Sequence, residues 1–264
     1  MPGLLENSRV KYALGRHLRV CRSIRQPKEA LDLDVNSETI HRVLGEASDV
    51  FYPGQVLDPL FKALGKRVFP GNFYSFMGNK IRQSLLFQWL GIPHPRTKIY
   101  YGARKEERIL RDFSFPFVGK RAVGGSQGKE VFLIRDEKEL ETYLSLYHPA
   151  YVQEYIPASR DLRIVVFAGH VIHAYWRIGK PGDFRHNVSR GGSVEFENIP
   201  EDALEFARWV AERCGFDEVG LDILPRGESY LVLEANMVYG LEGFRRRGLD
   251  INKIFSRAEK EGWI

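Results

Sequence analysis

Asp222, Glu234 and Asn236 are the residues whose types and spacing best suit chemistry. They lie in Gly220-Leu-Asp-Ile-Leu-Pro-Arg-Gly-Glu-Ser-Tyr-Leu-Val-Leu-Glu-Ala-Asn236, which reads as two strands joined by a turn over Pro225 to Ser229. Strand side chains alternate faces, so Asp222 points away from Leu221 and Ile223, while Val232, Glu234 and Asn236 share a face of the return strand. A hairpin centred near Glu228 sets Asp222 opposite Glu234. Facing carboxylates repel unless a cation or a proton lies between them. With Asn236 one step along, the set offers oxygen ligands for a hard cation such as magnesium, and nucleotide phosphates would complete its shell. The plainer reading is a surface hairpin with solvated acids.

Three further groups carry possible chemistry. Gly124-Gly-Ser-Gln-Gly128 lies between two expected strands and follows Lys120. Glycines there let backbone N–H groups turn toward a phosphate, and the lysine adds positive charge. The spacing is not that of a Walker A loop, and a plain hairpin turn reads equally well. Gln153-Glu-Tyr-Ile156 ends a strand before Pro157. Such an end offers backbone groups to an adenine edge, and Glu154 could accept ribose hydroxyls. Asp161 with Arg163, and Tyr175 with Arg177, share strand faces, and Arg185 and Arg190 follow. Clustered arginines stabilise charge on a transferring phosphoryl group, or form ordinary surface salt bridges.

The elements that would position these groups alternate strand and helix signals. Residues 1–75 read as a small α/β lobe, with a helix near Ser37 to Leu44, strands at 48–53 and 67–70, and a short helix at 58–64. Asn79 to Leu90 is the strongest early helix, with Ile81, Leu85, Leu86 and Trp89 on its apolar face and a stop at Gly91. Strands follow at 115–120, 131–134 and 150–156, with a helix at 137–145. A hairpin over 162–178, an amphipathic helix over 203–214, the hairpin at 220–236 and a last helix from Ile251 to Lys260 complete the chain. Helices flanking mostly antiparallel sheets predict an α+β class.

Composition narrows the partners. The 264 residues carry a net charge of +5, with 44% hydrophobic and 28% charged residues, as in a globular protein with a well-solvated surface. No basic run with interleaved aromatics argues for nucleic acid. Arg245-Arg246-Arg247 is the densest basic cluster and is short. Cys21 and Cys214 form no metal-like spacing or disulfide framework, which fits a reducing compartment. No apolar leader and no membrane-length run is seen, so the expectation is a soluble cytoplasmic protein.

The order of the signals resembles one family. Lysine, glycine loop, strand-end Glu, arginine hairpin and then Asp…Glu-x-Asn is similar to the ATP-grasp superfamily, and most closely to its RimK-type branch of carboxylate–amine ligases. Gly182-Asp-Phe-Arg-His-Asn-Val-Ser-Arg-Gly-Gly192 resembles that branch's stretch after the central hairpin. Gly220-Leu-Asp-Ile and Leu233-Glu-Ala-Asn236 resemble its metal hairpin, and Gly240-Leu-Glu-Gly243 and Gly248-Leu-Asp-Ile-Asn252 the segments after it. Upstream, Asn79-Lys-Ile-Arg82 and Gly91-Ile-Pro-His-Pro-Arg-Thr97 resemble its entry helix and loop. The likeness covers roughly residues 48–257.

The resemblance implies an ATP-grasp fold of two α+β lobes clamping ATP. Residues 1–75 would form a small lobe before it, 76–157 a lid subdomain and 158–264 a C-terminal core. It also implies ATP and two magnesium ions, or manganese, as cofactors. Lys120, with Lys80, would hold phosphates under a lid of Gly125, Ser126, Gln127 and Gly128. Gln153, Glu154, Tyr155 and Ile156 would carry the adenine, with Glu154 and Asp161 near the ribose and Arg185 and Asn187 at the nucleotide. Asp222, Glu234 and Asn236 would bind metal, and Arg163 and Arg177 would neutralise an acyl phosphate. The implied reaction joins an amino acid such as glutamate to a carboxylate acceptor, which could be a small molecule, a peptide or a protein C-terminus. An ATP-grasp kinase and a non-catalytic nucleotide-binding regulatory domain are the alternatives, and a homo-oligomer is left open. One departure stands out. The family's usual Ser-Pro after the metal Asn is replaced by Val238-Tyr239, so the acceptor does not carry over from relatives.

Overall fold

The computed structural model describes residues 9–15, 17–27, 37–124, 130–180 and 192–264. In chain order, the first elements are β1 (Lys11–Ala13), α1 (Glu38–Glu46), β2 (Asp49–Phe51), α2 (Gly54–Ala63), β3 (Arg67–Phe69) and α3 (Phe73–Phe76). Next come α4 (Lys80–Leu90), β4 (Thr97–Tyr100), α5 (Lys105–Asp112), β5 (Phe117–Lys120), β6 (Val131–Ile134), α6 (Glu137–Leu146) and β7 (Ala150–Glu154). The last are β8 (Arg160–Phe167), β9 (His170–Ile178), β10 (Ser193–Glu195), α7 (Glu201–Cys214), β11 (Glu218–Arg226), β12 (Ser229–Asn236), α8 (Glu242–Arg247) and α9 (Ile251–Lys260). The class is α+β. Among the described residues no helix is long and apolar enough to cross a membrane.

Contacts divide the chain into two compact units, Met1–Ser75 with Gly248–Ile264, and Phe76–Arg247. In the first, β1, β2 and β3 form a parallel sheet in that order. Tyr12, Ile40, Val43, Val50, Leu57 and Phe61 build its core. The sequence reading assigned the last helix to the C-terminal core, yet α9 is tied into this unit. Glu259 accepts hydrogen bonds from the Ser23 backbone N–H and hydroxyl at 2.6 and 2.7 Å.

The second unit holds two antiparallel sheets. One has the order β4-β7-β5-β6 and the other β10-β9-β8-β11-β12. Under the first sheet, α5 and α6 bring Ile109, Phe113, Leu140 and Tyr143 against Phe117, Ile134 and Val152. The Asp136 side chain starts α6 by accepting the Glu139 N–H at 2.8 Å. On the second sheet, α7 buries Ala203, Ala207, Val210, Ala211 and Cys214 and ends at Gly215, whose φ of 64° suits a residue without a Cβ.

The helix α4 differs from its expected packing. Asn79 caps it and Gly91 ends it, as read, but the buried residues are Lys80, Gln83, Ser84 and Phe87. Leu85 and Trp89, expected to face a core, are 43% and 86% exposed. The helix turns its polar stripe inward because the surface it covers is a strand edge and a charged site rather than an apolar core.

Candidate active site

The hairpin β11–β12 carries the acidic pair. Its turn is tighter than expected: Arg226 pairs with Ser229, leaving Gly227 and Glu228 as the turn, with Gly227 at φ 60°. Simple pairing from that turn would put Asp222 opposite Leu233. A bulge between Asp222 and Ile223 adds one residue on β12, and the register there is Asp222 with Glu234 and Ile223 with Val232. The acids therefore face each other, as the spacing predicts. Val232 does not share their face. It pairs with Ile223 on the other side and is buried in the core.

Asp222 is surrounded by cations. In the neighbouring strand Arg163 pairs with it in register, and its Nε donates to Asp222 Oδ1. Arg177 NH2 lies 3.0 Å from Asp222 Oδ2. The Asn236 amide donates to the same oxygen at 3.3 Å, which turns its carbonyl oxygen away from that carboxylate. Arg177 also makes a two-point pair with Asp161, Nε–Oδ1 and NH2–Oδ2 both 2.7 Å. Asp161 was expected near a ribose. Here it is buried and both its oxygens hold Arg177, so its geometry is that of a residue orienting the arginine. Burial acts against the Arg177 charge, but Asp161 and Asp222 outweigh it and hold the guanidinium protonated.

Glu234 meets the lysines. Lys80 Nζ lies 2.7 Å from Glu234 Oε1, and the glutamate side chain is 26% exposed. Burial acts to raise the Glu234 pKa, but the charges of Lys80, Lys120 and Arg163 hold it below the usual carboxylate range. Lys120, buried at the end of β5, is pushed down to about 8 by burial, with Glu234 opposing and Lys80 adding to the shift. Its strand is fixed from below by Tyr143, whose hydroxyl lies 2.9 Å from the Lys120 carbonyl and 2.8 Å from that of Tyr151. Gly119 makes this approach feasible, since a Cβ there would sit 2.9 Å from the Tyr143 ring.

The strand end expected to carry adenine lies at the end of β7. Gln153 is buried and donates to Thr97 Oγ1 at 3.0 Å, while Glu154 accepts the Arg96 N–H at 3.2 Å. Tyr155 and Ile156 continue beyond β7, half-buried. Gly125, Ser126, Gln127, Gly128, Arg185, Asn187 and Arg190 lie outside the described residues.

Residues that sequence reasoning missed complete the site. Gly220 leaves room for Tyr239, because a Cβ at Gly220 would sit 2.4 Å from the Tyr239 Cβ. The Tyr239 hydroxyl donates to Glu218 Oε1 at 2.8 Å, and its carbonyl accepts from Arg163 NH1 at 3.0 Å. Tyr239, noted only as part of a departure from a pattern, thus packs onto the sheet beside Asp222, while Val238 is exposed. Gln83, whose amide bonds Ala235 between Glu234 and Asn236, could have been found from its spacing to Lys80 on one helix face.

The donor set fits a hard cation. Two carboxylates in register and the Asn236 oxygen, with that amide turned over, would form an all-oxygen set, and the positive charge now at Glu234 is an ammonium that a metal would replace. Among the described residues, no group of three or more His, Cys, Asp or Glu side chains is placed to hold a metal. The candidate ligands are therefore two acids plus an amide, with the remaining positions left for a ligand's oxygens.

The sequence model of a family described as RimK-like ATP-grasp domain matches residues 77–258. A probable alpha-L-glutamate ligase of Enterobacter sp. (strain 638) is 32% identical over 190 residues, covering 69% of this chain and 63% of that protein. A ribosomal protein bS6–L-glutamate ligase of Salmonella paratyphi B is 31% identical over 180 residues, covering 66% of this chain and 60% of that protein. The matches thus span about three fifths of these curated relatives' lengths. Among solved structures, a RimK domain protein ATP-grasp from Sphaerobacter thermophilus superposes with a TM-score of 0.61 at 18% identity, covering 81% of each chain. That likeness shows the fold, which is ATP-grasp.

Proposed function

The chain belongs to the RimK-like ATP-grasp family, and from that premise we propose that it is an ATP-dependent carboxylate–amine ligase. The observation that carries this reading is the register of Asp222 with Glu234, ringed by Arg163, Arg177, Lys80 and Lys120. Two acids in register among four cations suit a polyanion bound through a divalent metal.

In the reaction proposed, an acceptor carboxylate oxygen attacks the γ-phosphorus of ATP and ADP leaves. The amine nitrogen of an amino acid then attacks the acyl carbon. Phosphate departs, the nitrogen loses a proton, and an amide remains. Lys120 and Lys80 bind phosphate oxygens. The segment Gln153 to Ile156 carries the base, with Glu154 toward the ribose. Arg163, and Arg177 oriented by Asp161, meet negative charge on the transferring group. Asp222, Glu234 and Asn236 would hold magnesium, as two ions or with manganese in its place. When bound, the metal neutralises phosphate oxygens and aligns them for in-line transfer. The enzyme's main work is to position the reactants and keep water from the acyl phosphate.

Glutamate is the amino acid favoured, because the relatives named above are glutamate ligases. The acceptor is a small molecule, a peptide or a protein C-terminus, and the setting is the cytoplasm. Hydroxylamine trapping tests the acyl phosphate. With ATP, magnesium and a cell extract, a hydroxamate should form and should be absent without ATP. ATP consumption that yields a phosphoester and no hydroxamate would make the protein a kinase.

A further inference from the structure

Gln83 stands apart from every group given a role so far. It is 2% exposed, on the inward face of α4, and every N–H and one carbonyl lone pair of its amide is engaged. Its Nε2 donates to the Ala235 carbonyl at 2.7 Å and to the Phe76 carbonyl at 3.0 Å, and its Oε1 accepts the Ala235 N–H at 3.2 Å. The side-chain amide therefore pairs with Ala235 as a neighbouring strand would.

This pairing falls at a particular place. Among the described residues β12 is the edge of the five-stranded sheet, so peptide groups on its outer side have no strand partner there. Ala235 is the residue between Glu234 and Asn236. One turn earlier on the same helix, Lys80 holds the Glu234 side chain at 2.7 Å. The start of α4 is anchored in turn, since Lys80 N–H donates to the Ala122 carbonyl at 3.0 Å and Gly124 N–H to the Gly78 carbonyl at 2.9 Å.

We propose that Gln83 is a positioning residue for the metal-binding strand: by taking both peptide groups of Ala235, it fixes the directions in which Glu234 and Asn236 leave β12. The proposal rests on the reading that these two residues hold magnesium. A buried amide with both ends satisfied is rigid, whereas an edge strand without a partner shifts register and twist readily. Groups that orient metal ligands act on metal affinity without touching the metal.

The test uses Mn2+ as the probe, in the full-length protein with ADP, following the electron paramagnetic resonance signal of free Mn2+. Gln83→Met keeps side-chain length and removes all three bonds. It should weaken Mn2+ binding about 10-fold or more while ADP binding without metal stays unchanged. Gln83→Glu keeps only the acceptor for the Ala235 N–H and should fall between, and it decides the question if the Met variant does not fold. Ser84→Ala is the control for a purely structural effect. It removes the buried 2.6 Å hydrogen bond with Tyr151 and leaves β12 untouched, so it should lower stability without moving Mn2+ affinity. Folded Gln83 variants with wild-type Mn2+ affinity would overturn the proposal, as would an equal loss in Ser84→Ala. If the wild-type protein binds no Mn2+ with ADP, the ligase reading itself falls and this inference with it.

Discussion

Lys80 and Glu234 form an ion pair of 2.7 Å although they are 154 positions apart in sequence. The ammonium stands on a carboxylate assigned to a metal. Positive charge thus already stands at Glu234, and on the ligand set proposed above metal entry would transfer Lys80 to another anion. The nucleotide phosphates are the natural destination, since Lys120 faces the same charges.

Glu234→Ala should therefore do two things. It should abolish metal-dependent nucleotide binding, and it should lower stability by about 1–3 kcal/mol because buried cations lose their counter-charge. Glu234→Gln, which can still accept from Lys80, should lose the metal with a smaller stability cost. Calorimetric titration of Mg·ADP and urea denaturation check both. Retained metal-dependent binding in either variant would remove Glu234 from the ligand set.

Lys120 gives a pH prediction. Its pKa of about 8 in the folded protein lies below the ~10.4 of an exposed lysine. Between these values the folded protein has released a proton that the unfolded chain keeps, so this group makes stability rise with pH across that window. Below it, the cost of burying the charge is present in full. Bound phosphates favour the charged form, so nucleotide binding at about pH 8.5 should take up protons. Titration in two buffers of different ionisation enthalpy should show this uptake, and Lys120→Met should lose it. Buffer-independent heats in the wild type would place the phosphates elsewhere.

Gly220→Ala tests the packing beside Asp222. The new methyl would meet the Tyr239 Cβ at 2.4 Å, so the ring and the Arg163 contact must shift. A cost of about 1–3 kcal/mol is expected, and much of it should vanish in Gly220→Ala/Tyr239→Ala. Additive costs in the cycle, measured by urea denaturation, would mean that the ring does not set the fit.

The acidic pair was legible because strand alternation and distance from a turn are local properties. Its register still depended on a bulge, and the hairpin centre at Glu228 absorbed that extra residue without revealing it. The face of Val232 was misread for the same reason. α4 was misread by the rule that works elsewhere. Apolar periodicity finds a core-facing stripe, and Ile81, Leu85, Leu86 and Trp89 form one, but this helix seals a strand edge with Gln83 and a carboxylate with Lys80. The resemblance placed Asp161 near the ribose, and what the sequence does not show is that both its carboxylate oxygens hold a guanidinium. Its partner, Arg177, sits on the next strand of the hairpin. β1, β4 and β10 passed unseen, since Lys11-Tyr-Ala13, Thr97-Lys-Ile-Tyr100 and Ser193-Val-Glu195 lack the apolar run that marks β2 and β6, which are as short.

The most direct test of the central claim is ADP release from Mg·ATP with each of the twenty amino acids supplied singly, with and without a cell extract, followed by mass spectrometry of the products. The ligase account predicts release that rises with one amino acid, glutamate first among them, only when extract is present. It also predicts an acceptor heavier by that amino acid less water. ADP release indifferent to every amino acid, or no mass gain on any acceptor, would contradict it.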